Sequence, residues 1–140
     1  MFKATTHIVK GTSEEARFVR NKLIEFNSKH IPDGRYEEVC LCVKDNKGEI
    51  IAGLNGSICW NWMEIDFLWV DESFRGQGLG QKLLEEAERR AAAEQCTFIQ
   101  LNTFSFQAPG FYEKNGFAAI AVIENAPRDH KHYYFIKYLR

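Results

Sequence analysis

The stretch Trp69–Gln81, WVDESFRGQGLGQ, decides how the 140-residue chain is read. Its centre, RGQGLG from Arg75 to Gly80, places glycine at every second position. Glycine weakens regular structure, so such a cluster marks backbone that must turn left-handed or be approached closely. Upstream lies the apolar run MEIDFLWV. Downstream lies QKLLEEAERRAAAEQ, a strong helix former; the helix reads from Gly78 to about Gln95, with Leu79, Leu83, Ala87 and Ala91 on one face and Glu85, Glu86, Arg89 and Arg90 facing water. The glycines therefore join a strand to a helix N-terminus, where unpaired N–H groups and a partial positive charge await an anion.

The rest of the chain surrounds that junction with alternating elements. Thr12 and Glu15 fit a capping box, and Ala16, Val19, Leu23 and Phe26 recur at helical spacing behind it. HIPDGRY is a break. EVCLCV, EIIAGLNGSICW and NWMEIDFLWV read as strands, the last two as a hairpin around Trp60-Asn61. TFIQLN is a strand, SFQAPGFYEKN a short helix ended by Asn115-Gly116, and FAAIAVIE and HYYFIKYL close the sheet. With THIVK as a first strand, the expectation is a single α/β (α+β) domain over residues 1–140. It would have a mixed, mostly antiparallel sheet of about six to seven strands flanked by about four helices.

Composition narrows the classes. The chain is 45% hydrophobic, enough for a core, and its net charge of -1 gives no field for nucleic acid. Apolar runs are too short to span a membrane, and MFKATTHIVKG lacks a signal core, so a soluble cytoplasmic protein is expected. Cys40 and Cys42 would share one strand face and pack as small hydrophobes. Cys59 and Cys96 complete a set without metal spacing, and HKH is the only histidine cluster, so no metal is expected. His130 and His132 read as surface or strand residues.

Three phosphate loops can be compared with RGQGLG. A P-loop needs a Lys-Ser/Thr pair that is missing here, and a dinucleotide loop needs G-x-G-x-x-G after an early strand. The pattern [QR]-x-x-G-x-[GA] fits Arg75, Gly78 and Gly80 without a gap. Together with Phe111, Tyr112, Gly116 and Phe117 in APGFYEKNGF, it makes the chain resemble the GNAT superfamily of acyl-CoA-dependent N-acyltransferases. The likeness covers nearly the whole chain in element order and is strongest from Glu64 to Phe117.

The resemblance implies acetyl-CoA as cosubstrate. MEIDFLWV would carry a bulge and splay from TFIQLN, with pantetheine pairing along Leu68, Trp69 and Val70. The backbone of Arg75, Gly76, Gln77, Gly78, Leu79, Gly80 and Gln81 would hold the pyrophosphate. Many members carry an Asn where this chain has Ser105, whose hydroxyl could cap the following helix and partly replace the amide. Asn102 is a second donor. Tyr112 is expected near the thioester sulfur as the acid, since a phenol of pKa about 10 holds its proton against a thiol of about 8.5. The Leu68 N–H, or its neighbour Trp69, would meet the oxyanion. Glu64 and Asp66 alternate along one strand and would share a face. Glu64 lies eleven residues before Arg75, the offset of the general base in the histone-acetyltransferase branch. Asp66 suits substrate binding or structure first.

On the acceptor side, Trp60, Trp62, Tyr36 and Phe104 could wall an aromatic pocket, and Asp33 could draw in a cation. The expected activity is acetyl transfer to a primary amine, a small cationic one ahead of a peptide. The alternative from another class is a non-catalytic acyl-CoA-binding regulatory module. FIKYL is apolar enough to allow a homodimer.

Overall fold

A computed structural model describes residues 7–139, which group into two compact units, one ending at Gly34 and one starting at Arg35. In the first, α1 (Ser13–Ser28) opens on the expected capping box. Thr12 Oγ1 accepts from the Glu15 N–H at 3.1 Å, and a Glu15 carboxylate oxygen accepts from the Thr12 N–H at 2.9 Å. Glu14 and Glu15 in the first turn complement the helix dipole. His7–Lys10, expected in a first strand, are not in one, and Thr6 lies outside the described residues. A strand needs a partner ladder, and none forms here.

The second unit holds a six-stranded sheet in the order β1-β2-β3-β4-β6-β5. Its strands are β1 (Tyr36–Lys44), β2 (Ile50–Cys59), β3 (Trp62–Val70), β4 (Phe98–Phe104), β5 (Ala118–Glu124) and β6 (Lys131–Tyr138). All neighbours run antiparallel except β3 and β4, which are joined by a crossover through α2 (Leu79–Ala93). α3 (Pro109–Lys114) follows β4, and a 3-10 turn (Glu72–Phe74) follows β3. The first turn between strands is held by Asp45, whose carboxylate accepts from the Lys47 and Glu49 N–H groups at 2.8 and 3.0 Å.

The core lies between α2 and one sheet face. Leu83, Leu84, Ala87 and Ala91 of the helix meet Leu41, Leu54, Met63, Ile65, Ile99, Leu101 and Phe135. On β1 the inward residues are Val39, Leu41 and Val43, so Cys40 and Cys42 take the other face and are exposed. Alternation alone places them together but does not say which face is covered. All four cysteines are free.

Two irregularities in β3 open the sheet. The parallel ladder with β4 runs from Trp62↔Phe98 to Ile65↔Leu101 and stops. On the other side the register steps from Gly56↔Ile65 to Asn55↔Phe67, leaving Asp66 as the extra residue of a β-bulge. The bulge switches the phase of the strand. Before it Met63 and Ile65 are buried; beyond it Leu68 and Val70 pack on the core while Phe67 and Trp69 are exposed. Gly56 permits this close approach. A Cβ there would stand 2.2 Å from the Glu64 carbonyl oxygen and 3.2 Å from the Ile65 Cα. No helix among the described residues is long and apolar enough to cross a membrane.

Replacing Gly56 with alanine should cost about 1–3 kcal/mol, since the obstructing atoms are backbone and cannot rotate away. Urea unfolding measures it. An unshifted midpoint would show that the bulge relaxes around a methyl group.

Candidate active site

The three glycines of RGQGLG serve two different ends. Gly76 and Gly78 have φ of +80° and +79°, with open space where a Cβ would stand, so left-handed backbone explains them. Gly80 has ordinary φ, and its Cβ would lie 3.1 Å from the Phe111 ring, so close packing of α2 on α3 explains it. Gly78 is the N-cap of α2 and offers no side-chain cap, and the first turn of α2 carries no acidic residue. This contrasts with the self-capped start of α1. The N–H groups of Leu79, Gly80 and Gln81 thus lack the side-chain acceptors that most helices supply for themselves. Arg75 steadies the loop from below: its Nε donates to the Val70 carbonyl at 3.0 Å.

That helix terminus opens onto a cavity of about 740 Å³ running along the splay. Its walls include Asp66, Leu68, Trp69 and Val70 of β3, then Arg75, Gly76 and Gly78 to Gln81. Asn102 and Tyr112, also expected from sequence, line it too, whereas Ser105 does not. Gln77 is exposed and off the lining. Thr103, Phe106, Gln107 and Phe111 also line the cavity and were not anticipated. Their signal was their place around the helix start at Ala108-Pro109.

Tyr112 sits half-buried on α3, with Phe111 edge-on at 5.2 Å and Phe117 at 6.0 Å. Burial raises its pKa above the usual phenol value, so it stays protonated at neutral pH. Asp66 is raised too, by burial first and by the Glu64 charge second. The two carboxylates therefore feel each other although the bulge breaks the strict alternation that would have placed them on one face. Glu64 is held by Gln100, whose Nε2 donates to it at 2.9 Å, and lies off the cavity lining. Neither acid has an ion-pair partner among the described residues.

Ser105 differs from its expected role. Its N–H donates to the Lys131 carbonyl and its Oγ accepts from the Lys131 N–H, each at 2.9 Å, so it staples the β4–α3 loop to the start of β6. The N-cap of α3 is Ala108. Gln107 folds back instead, its Oε1 accepting from Thr103 Oγ1 at 2.8 Å and the Phe104 N–H at 3.0 Å. Asn102 Oδ1 is 3.0 Å from His132 Nε2.

The aromatic wall expected from Trp60, Trp62, Tyr36 and Phe104 is not one wall. Trp60 meets Trp62 edge-on at 5.7 Å, and Trp62 stacks on Phe98 at 5.7 Å, at the start of the parallel ladder. Phe104 ends β4, roughly 20 Å along the strand at about 3.3 Å per residue. Tyr36 begins β1 and is exposed. Asp33 belongs to the first unit.

Two measurements test this geometry. Gly78→Val should weaken acetyl-CoA binding at least tenfold in calorimetry, because a β-branched residue resists positive φ and the terminal N–H groups turn away. Unchanged affinity would sink the loop as an anion site. Glu64→Gln should lower the titration midpoint of Asp66 in carboxyl-resolved NMR, since a like charge is removed. A midpoint that stays in place would show that burial alone raises it.

Known acetyltransferases share this fold. The pattern of the acetyltransferase (GNAT) family matches residues 7–117. A crystal structure of an acetyltransferase from Bacillus cereus ATCC 14579 is 42% identical, with a TM-score of 0.91 over 96% of this chain and 98% of that one. A blasticidin-S acetyltransferase from Streptomyces morookaense is 45% identical over 82 residues, which span 58% of this chain and 60% of that protein's length. The acetyltransferase Atu2258 of Agrobacterium fabrum is 27% identical over 77% of this chain and 79% of its own. With its splayed strands, its glycine N-cap and these relatives, the chain belongs to the acetyltransferase (GNAT) family.

Proposed function

We propose that the chain moves an acetyl group from acetyl-CoA to the primary amine of a small cationic molecule, by direct attack of the amine on the thioester. The observation that carries this is the single cavity joining an uncapped, glycine-started helix to Tyr112, with Asp66 in its wall. The helix terminus offers the N–H groups of Leu79, Gly80 and Gln81 to the pyrophosphate. The stretch of β3 from Leu68 to Val70, beyond the end of the ladder with β4, gives the pantetheine arm a backbone edge. Ser105 is already stapled to Lys131, and Asn102 and Thr103 are the polar side chains of β4 on the cavity wall, Asn102 being the donor we assign to that arm.

The amine must lose a proton to attack. Asp66 faces the cavity with a raised pKa, which makes it the better-placed acceptor, and the charge on Glu64 sustains that basicity. Glu64, the base implied by its offset from Arg75, acts through Asp66 in this scheme. As the new C–N bond forms, negative charge grows on the carbonyl oxygen, for which the Leu68 N–H is the donor. The C–S bond then breaks and the thiolate takes a proton from Tyr112, whose burial keeps that proton in place until then, while the second N–H proton, shed as the amide forms, restores the phenol. The two acids without ion-pair partners favour a cationic acceptor. A relative named for a small acceptor, blasticidin S, supports the small-molecule class over peptides.

Incubation with acetyl-CoA and a panel of polyamines, aminoglycosides, amino acids and Lys-containing peptides, read by product mass, tests the proposal. We expect an acetylated small amine whose kcat falls about 10²–10⁴-fold in Tyr112→Phe. Acetylated peptides alone would overturn the small-molecule assignment. Acetyl-CoA binding without turnover of any amine would favour the binding-module alternative.

A further inference from the structure

Phe106 is 56% exposed, yet it is firmly placed. Its ring lies 5.4 Å from that of Phe104 and within 3° of parallel. His130 meets its edge at 4.9 Å. Beyond Phe104 the row continues through His132 at 4.6 Å to Tyr134 at a further 4.6 Å. The loop beneath is braced on both sides, by the paired Ser105–Lys131 bonds and by Gln107 on Thr103 and Phe104. The row begins inside the site, because Phe106 lines the same cavity as Asp66 and Asn102, and Asn102 is bonded to His132.

A single exposed phenyl ring needs no explanation of its own, but this one ends a row of stacked rings at the wall of the cavity that also holds Asp66, and presents its outer face to whatever fills that cavity. A bound ring suits that face: aromatic rings add to such a row in offset or edge-on contact at 4.5–7 Å, and a cation gains from the same faces. We infer that Phe106, backed by Phe104 and His130, is a shelf that selects acceptor amines carrying a flat, unsaturated ring. The inference rests on the acetyltransferase scheme above and adds the class of acceptor to it. The amine nitrogen would face Asp66 while the ring extends the stack outward.

The probe is a pair of amines alike in size, phenethylamine and 2-cyclohexylethylamine, titrated by calorimetry into the full chain with coenzyme A present. The aromatic amine should bind about five-fold more tightly than the saturated one. Phe106→Leu should erase that preference, and Phe106→Trp should retain it. Thermal unfolding of both variants shows that they are folded. Equal binding of the two amines, no binding of either, or a preference that survives in Phe106→Leu overturns the shelf. So does a loss of acetyl-CoA affinity in Phe106→Leu as large as the loss for phenethylamine, which would assign the ring to the cofactor. Product masses with acetyl-CoA, taken alongside, test transfer itself. If phenethylamine binds preferentially but no amine is acetylated, the shelf stands and the enzymatic scheme fails.

Discussion

β3 pairs with β4 only from Trp62 to Ile65, and everything beyond depends on where that ladder stops. A parallel pair carried to the strand ends would bury the edge that faces the cavity and leave no room between Val70 and Asn102. The bulge at Asp66 prevents it. One extra residue turns the strand and reverses which side chains face α2, so Leu68 and Val70 hold the core beyond the opening. The sheet thus opens without losing its hydrophobic anchor. Gly56 on the neighbouring strand is the complement of the bulge, because only a residue without Cβ tolerates the Glu64 carbonyl so near.

The two ends of the cavity obey different physics. At the α2 end the lining is backbone: positive φ at Gly76 and Gly78, and N–H groups that no side chain of the helix satisfies. At the Phe106 end it is side chains, with rings and amides held by bonds between neighbouring segments. Asp66 lies between the two, placed by a backbone irregularity and presenting its carboxylate to the cavity.

The backbone half was legible in the amino-acid sequence. Glycine, the helix former behind it and the FYEKNGF segment mark their places by local rules, and α2, α3 and the succession of strands after α1 follow. The side-chain half was legible only in part. MEIDFLWV alternates cleanly up to Asp66 and is apolar thereafter, so its pattern does not show where the phase reverses. That hid the separation of Glu64 from the cavity wall. Trp60 and Trp62 suggested a pocket by type, but the register ties them to Phe98 at the far end of the ladder. Phe106 and His130 lie in separate loops that meet only when Ser105 bonds to Lys131, a pairing across 26 positions that no local pattern announces. THIVK has strand-like composition, but in His7–Lys10 it gains no partner.

The Ser105–Lys131 staple has a consequence for how such a site changes over generations. The connection between β5 and β6 carries His130 but none of the N–H groups at the α2 terminus. Insertions or exchanges there redraw the floor under Phe106 while leaving the glycine loop and the core under α2 untouched. A surface hairpin can therefore be edited without disturbing the end of the cavity that the α2 terminus builds. The fold places the two ends of one cavity on separate stretches of chain, so each can change while the other stands.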